Sequence, residues 1–233
     1  MSTFNRHKTM ITAVAKAIGS DLLAEVAFVG GCTTGLLLTD DFSREQVRHT
    51  DDVDLIVHVV GHVGWTQLQE GLRAKGFRDD VTGSGPICAM KLGELRVDFM
   101  PDDAKVLTFT NRWYADALRS AQSIELDDET TIRLVQPPYF VATKLEAFQQ
   151  RGNDDPLGSQ DIEDILSLFD GRPELVEELE HATPELLGYV RAQLRELLKD
   201  SDFDYAVQSA SCGSQDREKL IWERIERIAG SVI

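Results

Sequence analysis

The sequence predicts an α+β protein, with a mixed front over residues 1–136 and a helical back over 137–233. Three observations predict it. Short β-branched and apolar runs alternate with helical patterns as far as Pro137-Pro138. Beyond that pair, nearly everything has helical periodicity. Two front-half runs, Asp52-Val-Asp-Leu and Arg96-Val-Asp-Phe, alternate charged with apolar residues as half-buried strands do.

Taken in order, residues 5–18 carry Ile11, Val14, Ala15 and Ile18 at helical spacing. Ala27-Phe28-Val29 reads as a strand entering a tight turn at Gly30-Gly31, and Thr33 to Leu38 begins a helix. Polar residues 39–51 read as a loop. Val53 to Val60 is rich in β-branched residues and reads as a strand, and Trp65, Leu68 and Leu72 predict a helix ending near Gly76. Ile87–Leu92 and Leu95–Met100 predict two strands joined at Gly93-Glu94. A helix over 112–121 and a strand pair at 123–126 and 131–135 complete the front half.

Composition narrows the function. Forty acidic residues against 24 basic ones give a formal charge of −16, a field that repels phosphate backbones and argues against general DNA binding. It leaves open a nucleic-acid end entering a locally basic cleft. No apolar run approaches the roughly 18 residues of a membrane span, and the polar start does not read as a secretory leader. Cys32, Cys88 and Cys212 lie far apart without CxxC spacing, as expected of reduced thiols in a cytosolic protein. His7, His49, His58, His62 and His181 form no zinc-type pairing. Gly83-Ser84-Gly85 lacks the extension of a dinucleotide loop.

The chemistry-bearing run is Arg48-His-Thr50-Asp-Asp52-Val-Asp54-Leu55. Side chains alternate across a strand, so Asp52 and Asp54 share one face and can share hard divalent cations, which prefer oxygen ligands. Phosphoryl and nucleotidyl transfer need such a pair. Gly30-Gly31, between a strand and a helix, permits close backbone approach to a phosphate, although a plain turn uses the same residues. Asp98 shares a strand face with Arg96. It is either a third acid, deprotonating an acceptor hydroxyl, or one half of a salt bridge with Arg96. In the helical half, Lys144, Phe148 and Arg151 fall on one face, and Asp161 and Asp164 on a face of the next helix. Lys144 and Arg151 can reach triphosphate oxygens with the two acids orienting Lys144, or all four can form interhelical salt bridges.

Together these features resemble the nucleotidyltransferase superfamily that includes DNA polymerase beta, and within it the AbiEii-type enzymes, known as toxins of bacterial toxin–antitoxin and phage-defence pairs. The resemblance rests on Phe28-Val29-Gly30-Gly31, on Arg48-x-Thr50-x-Asp52-Val53-Asp54-Leu55, and on Thr143-Lys144-Leu145-Glu146-Ala147-Phe148 with Arg151, followed by Asp161 and Asp164. It spans about 28–170. It implies a polymerase-beta-like core whose NTP cleft is completed by the helical domain, with Mg²⁺ or Mn²⁺ held by Asp52, Asp54 and Asp98. It also implies catalysis by these acids with Lys144, and nucleotide contacts from Gly30, Gly31, Thr33, Arg48, Thr50, Arg151, Asp161 and Asp164. Two departures stand out. Cys32 to Asp51 is a longer spacer than compact members have, and Cys32 replaces a common Ser, leaving Thr33 to supply that phosphate contact.

The expected activity is transfer of a nucleoside monophosphate from an NTP to an acceptor: an RNA 3′ end, a protein or a small molecule. An antitoxin protein is a further partner the resemblance implies. A catalytically silent nucleotide- or antitoxin-binding module is the alternative, and a metal-dependent phosphohydrolase would use the same carboxylates without needing the glycine turn.

Overall fold

The computed structural model describes residues 1–80, 87–107, 111–152 and 154–230; Gly83-Ser84-Gly85 lies outside these. In chain order the elements begin with α1 (Thr3–Leu23), β1 (Val26–Val29), a 3-10 turn at Gly31–Thr33, α2 (Thr34–Leu37), α3 (Asp41–Glu45) and β2 (Asp52–Val57). Next come α4 (Gly61–Ala74), β3 (Arg78–Asp79), β4 (Ala89–Leu92), β5 (Leu95–Pro101), α5 (Tyr114–Ser120), β6 (Gln122–Asp127) and β7 (Thr130–Leu134). The remainder is helical: α6 (Pro137–Arg151), α7 (Gln160–Gly171), α8 (Leu175–Glu180), α9 (Pro184–Leu197), α10 (Ser201–Ala210) and α11 (Gln215–Ala229). The protein is α+β.

The chain divides into two compact units, Met1–Thr33 with His49–Gln136, and Thr34–Arg48 with Pro137–Ile233. The single boundary expected at 136/137 therefore misses an excursion: residues 34–48 belong with the helices. Within residues 39–51, expected as loop, Asp40 caps the short α3 by accepting the Ser43 N–H at 2.8 Å.

In the first unit the described strands form a seven-stranded mixed sheet ordered β3-β4-β5-β2-β1-β7-β6. Strand β2 runs antiparallel to β1 and parallel to β5, so the middle of the sheet joins segments distant in sequence. The hairpin between β4 and β5 turns at Gly93, whose φ of 62° suits a residue without Cβ. Phe28, Val53, Leu55, Val97 and Phe99 are buried with essentially no exposure. Helix α1 packs on β1, β2 and β7, and α5 packs on β1 and β2.

In the second unit α7 is the hub, packing against α3, α6, α10 and α11. Its start is capped by Ser159, which accepts the Ile162 N–H, and α9 and α11 are capped likewise by Thr183 and Ser214. Phe140, Ile165, Leu168, Phe169, Leu186, Val190, Phe203 and Ile225 form its core. The carbonyl of Gly171 receives the N–H groups of Thr39 and Asp40, and Arg172 donates to the Leu37 carbonyl at 2.6 Å. These bonds tie residues 34–48 to the end of α7. Among the described residues, no helix is long and apolar enough to cross a membrane.

Phe99 lies within β5, fully buried and edge-on to Phe77, ring centroids 5.4 Å apart. Phe99→Ala is expected to lower unfolding free energy by about 3–5 kcal/mol, read from urea denaturation.

Candidate metal centre

Three aspartates of the first unit meet on the sheet. Alternation along β2 buries Val53 and Leu55 and leaves Asp52 and Asp54 half-buried on the opposite side. Parallel pairing of β2 with β5 then sets Asp54 opposite Asp98 and Asp52 opposite Arg96. One oxygen from each of Asp52, Asp54 and Asp98 lies within 4.8 Å of the others, an arrangement that could hold a metal ion. All donors are carboxylate oxygens, which suit hard divalent cations.

The neighbours hold this cluster in place. Arg96 donates from Nε to Asp98 Oδ1 at 2.8 Å and from Nη2 to Oδ2 at 2.5 Å, a bidentate pair. Asp98 thus joins the cluster and is also salt-bridged to Arg96. That hydrogen bonding, opposed by burial and reinforced by the charge of Asp98, holds the Arg96 guanidinium above its ordinary value. The Thr50 hydroxyl donates to Asp52 Oδ1. Cys88, fully buried nearby on the chain entering β4, registers the negative field. Burial, followed by the charges of Asp98 and Asp54, pushes its thiol up to about 12.

Gly30 ends β1 with φ of 83°, and a Cβ there would overlap the Asp54 carboxylate. Asp54 thus occupies the space a side chain at position 30 would need. The glycine signal is legible in the sequence, but the reason the structure gives for it is Asp54. Thr33 takes a different place from the one expected. It is fully buried, and its hydroxyl donates to the Gly30 carbonyl at 2.8 Å, closing the 3-10 turn that Gly31 opens. Cys32 is buried as well. The helix expected after the glycines is only the four residues of α2.

The remaining expected residues gather inside the second unit. Asp164, fully buried, accepts from Arg48 Nε at 3.0 Å and Nη2 at 2.9 Å, from the Thr34 hydroxyl at 3.1 Å, and pairs with Lys144 Nζ at 2.7 Å. Asp161 accepts from Lys144 at 3.1 Å and from Arg151 Nε at 3.0 Å. The expected pairing of Lys144 with both acids is present. The interhelical salt bridges offered as its alternative are present as well, with Lys144 buried at 6% exposure between α6 and α7 and the Arg151 side chain largely exposed. Burial alone would lower its pKa, but the charges of Asp164 and Asp161 prevail and raise it above 10.5. Burial likewise works against Asp161 and Asp164, and the charge of Lys144 with the arginine bonds brings both below 3.8.

Sequence reasoning missed the part played by α1. The N–H of Thr50 donates to His7 Nε2 at 3.3 Å, and Arg6 pairs with Asp51 at 2.5 Å. No sequence pattern announces a contact across 43 residues. The chain matches no protein-family model, and no curated protein matches it significantly.

Gly30→Ala is expected to destabilise by about 1–2 kcal/mol from its backbone conformation alone, and by more from the overlap with Asp54. Adding Asp54→Ala removes the overlapping carboxylate, so the double variant should melt higher than additivity of the single changes allows.

Lys144→Met is expected to cost about 3–5 kcal/mol at pH 7, because it leaves Asp161 and Asp164 buried without their shared cation. The sign with pH follows from the shifts. Lowered carboxyls stabilise above about pH 4 and lose that contribution as pH falls. A raised ammonium stabilises below 10.5 and loses it as pH climbs through the folded value. Urea titrations should therefore show the gap between wild type and variant shrinking below about pH 4 and above pH 10.5.

Proposed function

We propose that this chain is a magnesium-dependent nucleotidyltransferase, moving a nucleoside monophosphate from an NTP to an acceptor hydroxyl with release of pyrophosphate. The observation that carries the reading is the register of β2 on β5, which brings Asp98 opposite Asp54 and beside Asp52. Mg²⁺ or Mn²⁺ would be held by these three side chains. When bound, it supplies charge stabilisation to the reacting phosphate.

The chain's own residues supply the rest. The acceptor oxygen bonds to the α-phosphorus, the bond to the β-phosphate oxygen breaks, and Asp98 is the carboxylate able to take the acceptor's proton. Arg96 orients Asp98 through both carboxylate oxygens, and Thr50 does the same for one oxygen of Asp52. Gly30, by lacking a Cβ, lets Asp54 lie against the end of β1.

The mixed sheet with its glycine pair after the first strand supports a polymerase-beta-like core, and the AbiEii-type resemblance extends the reading to a toxin acting beside an antitoxin protein. The acceptor is then an RNA 3′ end, a protein or a small molecule. A silent binding module has no need of three mutually repelling carboxylates at one point, which favours the enzyme over that alternative.

Incubation with labelled NTPs, Mg²⁺ and cell lysate or total RNA should place label on an acceptor. Asp54→Asn is expected to abolish labelling while melting at or above the wild-type temperature, since it relieves repulsion between neighbouring carboxylates. Turnover within a few-fold of wild type in that variant would sink the proposal.

A further inference from the structure

The geometry points to His7 as a positioning residue for Asp52, acting through Thr50; the inference rests on the metal site proposed above. Asp52 is the first residue of β2, whereas Asp54 and Asp98 lie within their strands. A side chain at a strand's first residue takes its position largely from the segment that leads into it. That segment, residues 49–51, is fastened to α1.

The Thr50 N–H donates to His7 Nε2 at 3.3 Å, and the Thr50 hydroxyl donates to Asp52 Oδ1. To accept at Nε2 the ring must be the neutral tautomer with its proton on Nδ1. His7 is 1% exposed, packed in the first turns of α1 where a fixed ring gives a fixed acceptor. One residue earlier, Arg6 takes Asp51, which His49 Nε2 also meets at 3.0 Å, and the His49 ring lies 6.4 Å from that of His7 at 25°.

Asp51, next to the cluster in sequence, is thereby engaged by Arg6 and His49, and Asp52 is held with its Oδ1 engaged by Thr50. That bond fixes the rotation of a carboxylate that contributes one oxygen to the cluster with Asp54 and Asp98. Partners one bond removed from a metal ligand, as Thr50 is, typically change metal affinity by about 10–100-fold when lost, and His7 holds that partner by its N–H. An ordinary buried histidine would affect stability and leave that affinity alone.

The test is Mn²⁺ binding to the purified protein, read by electron paramagnetic resonance, with circular dichroism and melting temperature as controls on folding. Asp54→Asn establishes which signal belongs to the site. His7→Met keeps the apolar volume without the acceptor and is expected to weaken Mn²⁺ binding about tenfold, the low end of that range, because it acts through Thr50. His7→Gln places an amide oxygen near Nε2 and should restore affinity to within about threefold of wild type. A folded His7→Met protein that binds Mn²⁺ as wild type does overturns the inference while leaving the metal site standing. If His7→Met does not fold, Thr50→Val reads the same relay, and unchanged affinity there overturns it equally. Wild-type protein with no Asp54-dependent Mn²⁺ signal overturns the metal site itself, and the role of His7 falls with it.

Discussion

Three carboxylates held with oxygens inside 4.8 Å of one another are the constraint that organises the first unit. At such a separation two unit charges repel by roughly 3 kcal/mol at an effective dielectric of about 20. On the polar side of the sheet, the fork of Arg96 on Asp98 and the Thr50 hydroxyl on Asp52 offset part of that repulsion. The other side supplies the rest. Val53, Leu55, Val97 and Phe99 bury completely behind the acids, each contributing roughly 1.5–3 kcal/mol. Period-two alternation is what lets one pair of strands do both: every residue that strains the polar side is flanked by one that stabilises the apolar side.

That alternation makes Asp52, Asp54 and Asp98 legible in the sequence, as it makes β2 and β5 legible. Their meeting is not. It depends on β2 lying parallel beside β5, with α4, β3 and β4 between them in the chain, and no local pattern encodes which strands become neighbours. The edges slip where local signals run past tertiary limits. The β-branched run continues to Val60, yet β2 ends at Val57, where the Asp102 N–H closes on the Val57 carbonyl. Residues 39–51 read as loop because their composition is polar, although Asp40 stands where it can cap the helix that forms there.

The helical half is legible in kind but not in depth. Spacing places Lys144 and Arg151 on one face of α6 and Asp161 and Asp164 on one face of α7, and these residues do pair. Charge at helical spacing ordinarily means a solvated surface, and here Lys144 and Asp164 are buried instead. Burial depends on what covers a face. Part of the cover comes from residues 34–48, which sequence order assigns to the other half of the chain. Thr33 departs from expectation for a related reason. A hydroxyl after a glycine pair suits a ligand, but it suits the Gly30 carbonyl one turn back equally well, and local geometry decides.

A buried ion network needs a reason to exist, because well-packed apolar side chains of similar volume are often neutral or stabilising in its place. Holding α6 to α7 would not require it. Leucines could do that, and Leu145, Phe148, Ile165 and Leu168 already line these two helices as buried apolar residues. Asp164 does something an apolar residue cannot. It accepts from Thr34 and Arg48, the first and last residues of the excursion, while Lys144 offsets its charge. Both ends of the 34–48 segment are thereby fixed to one carboxylate. The backbone bonds from Thr39 and Asp40 to Gly171 fix its middle to the far end of the same helix. An apolar core could bury such a segment in several registers, whereas directional bonds from two named residues to one acid permit one. The network thus ties a discontinuous stretch of chain to the helical unit by directional bonds from both of its ends.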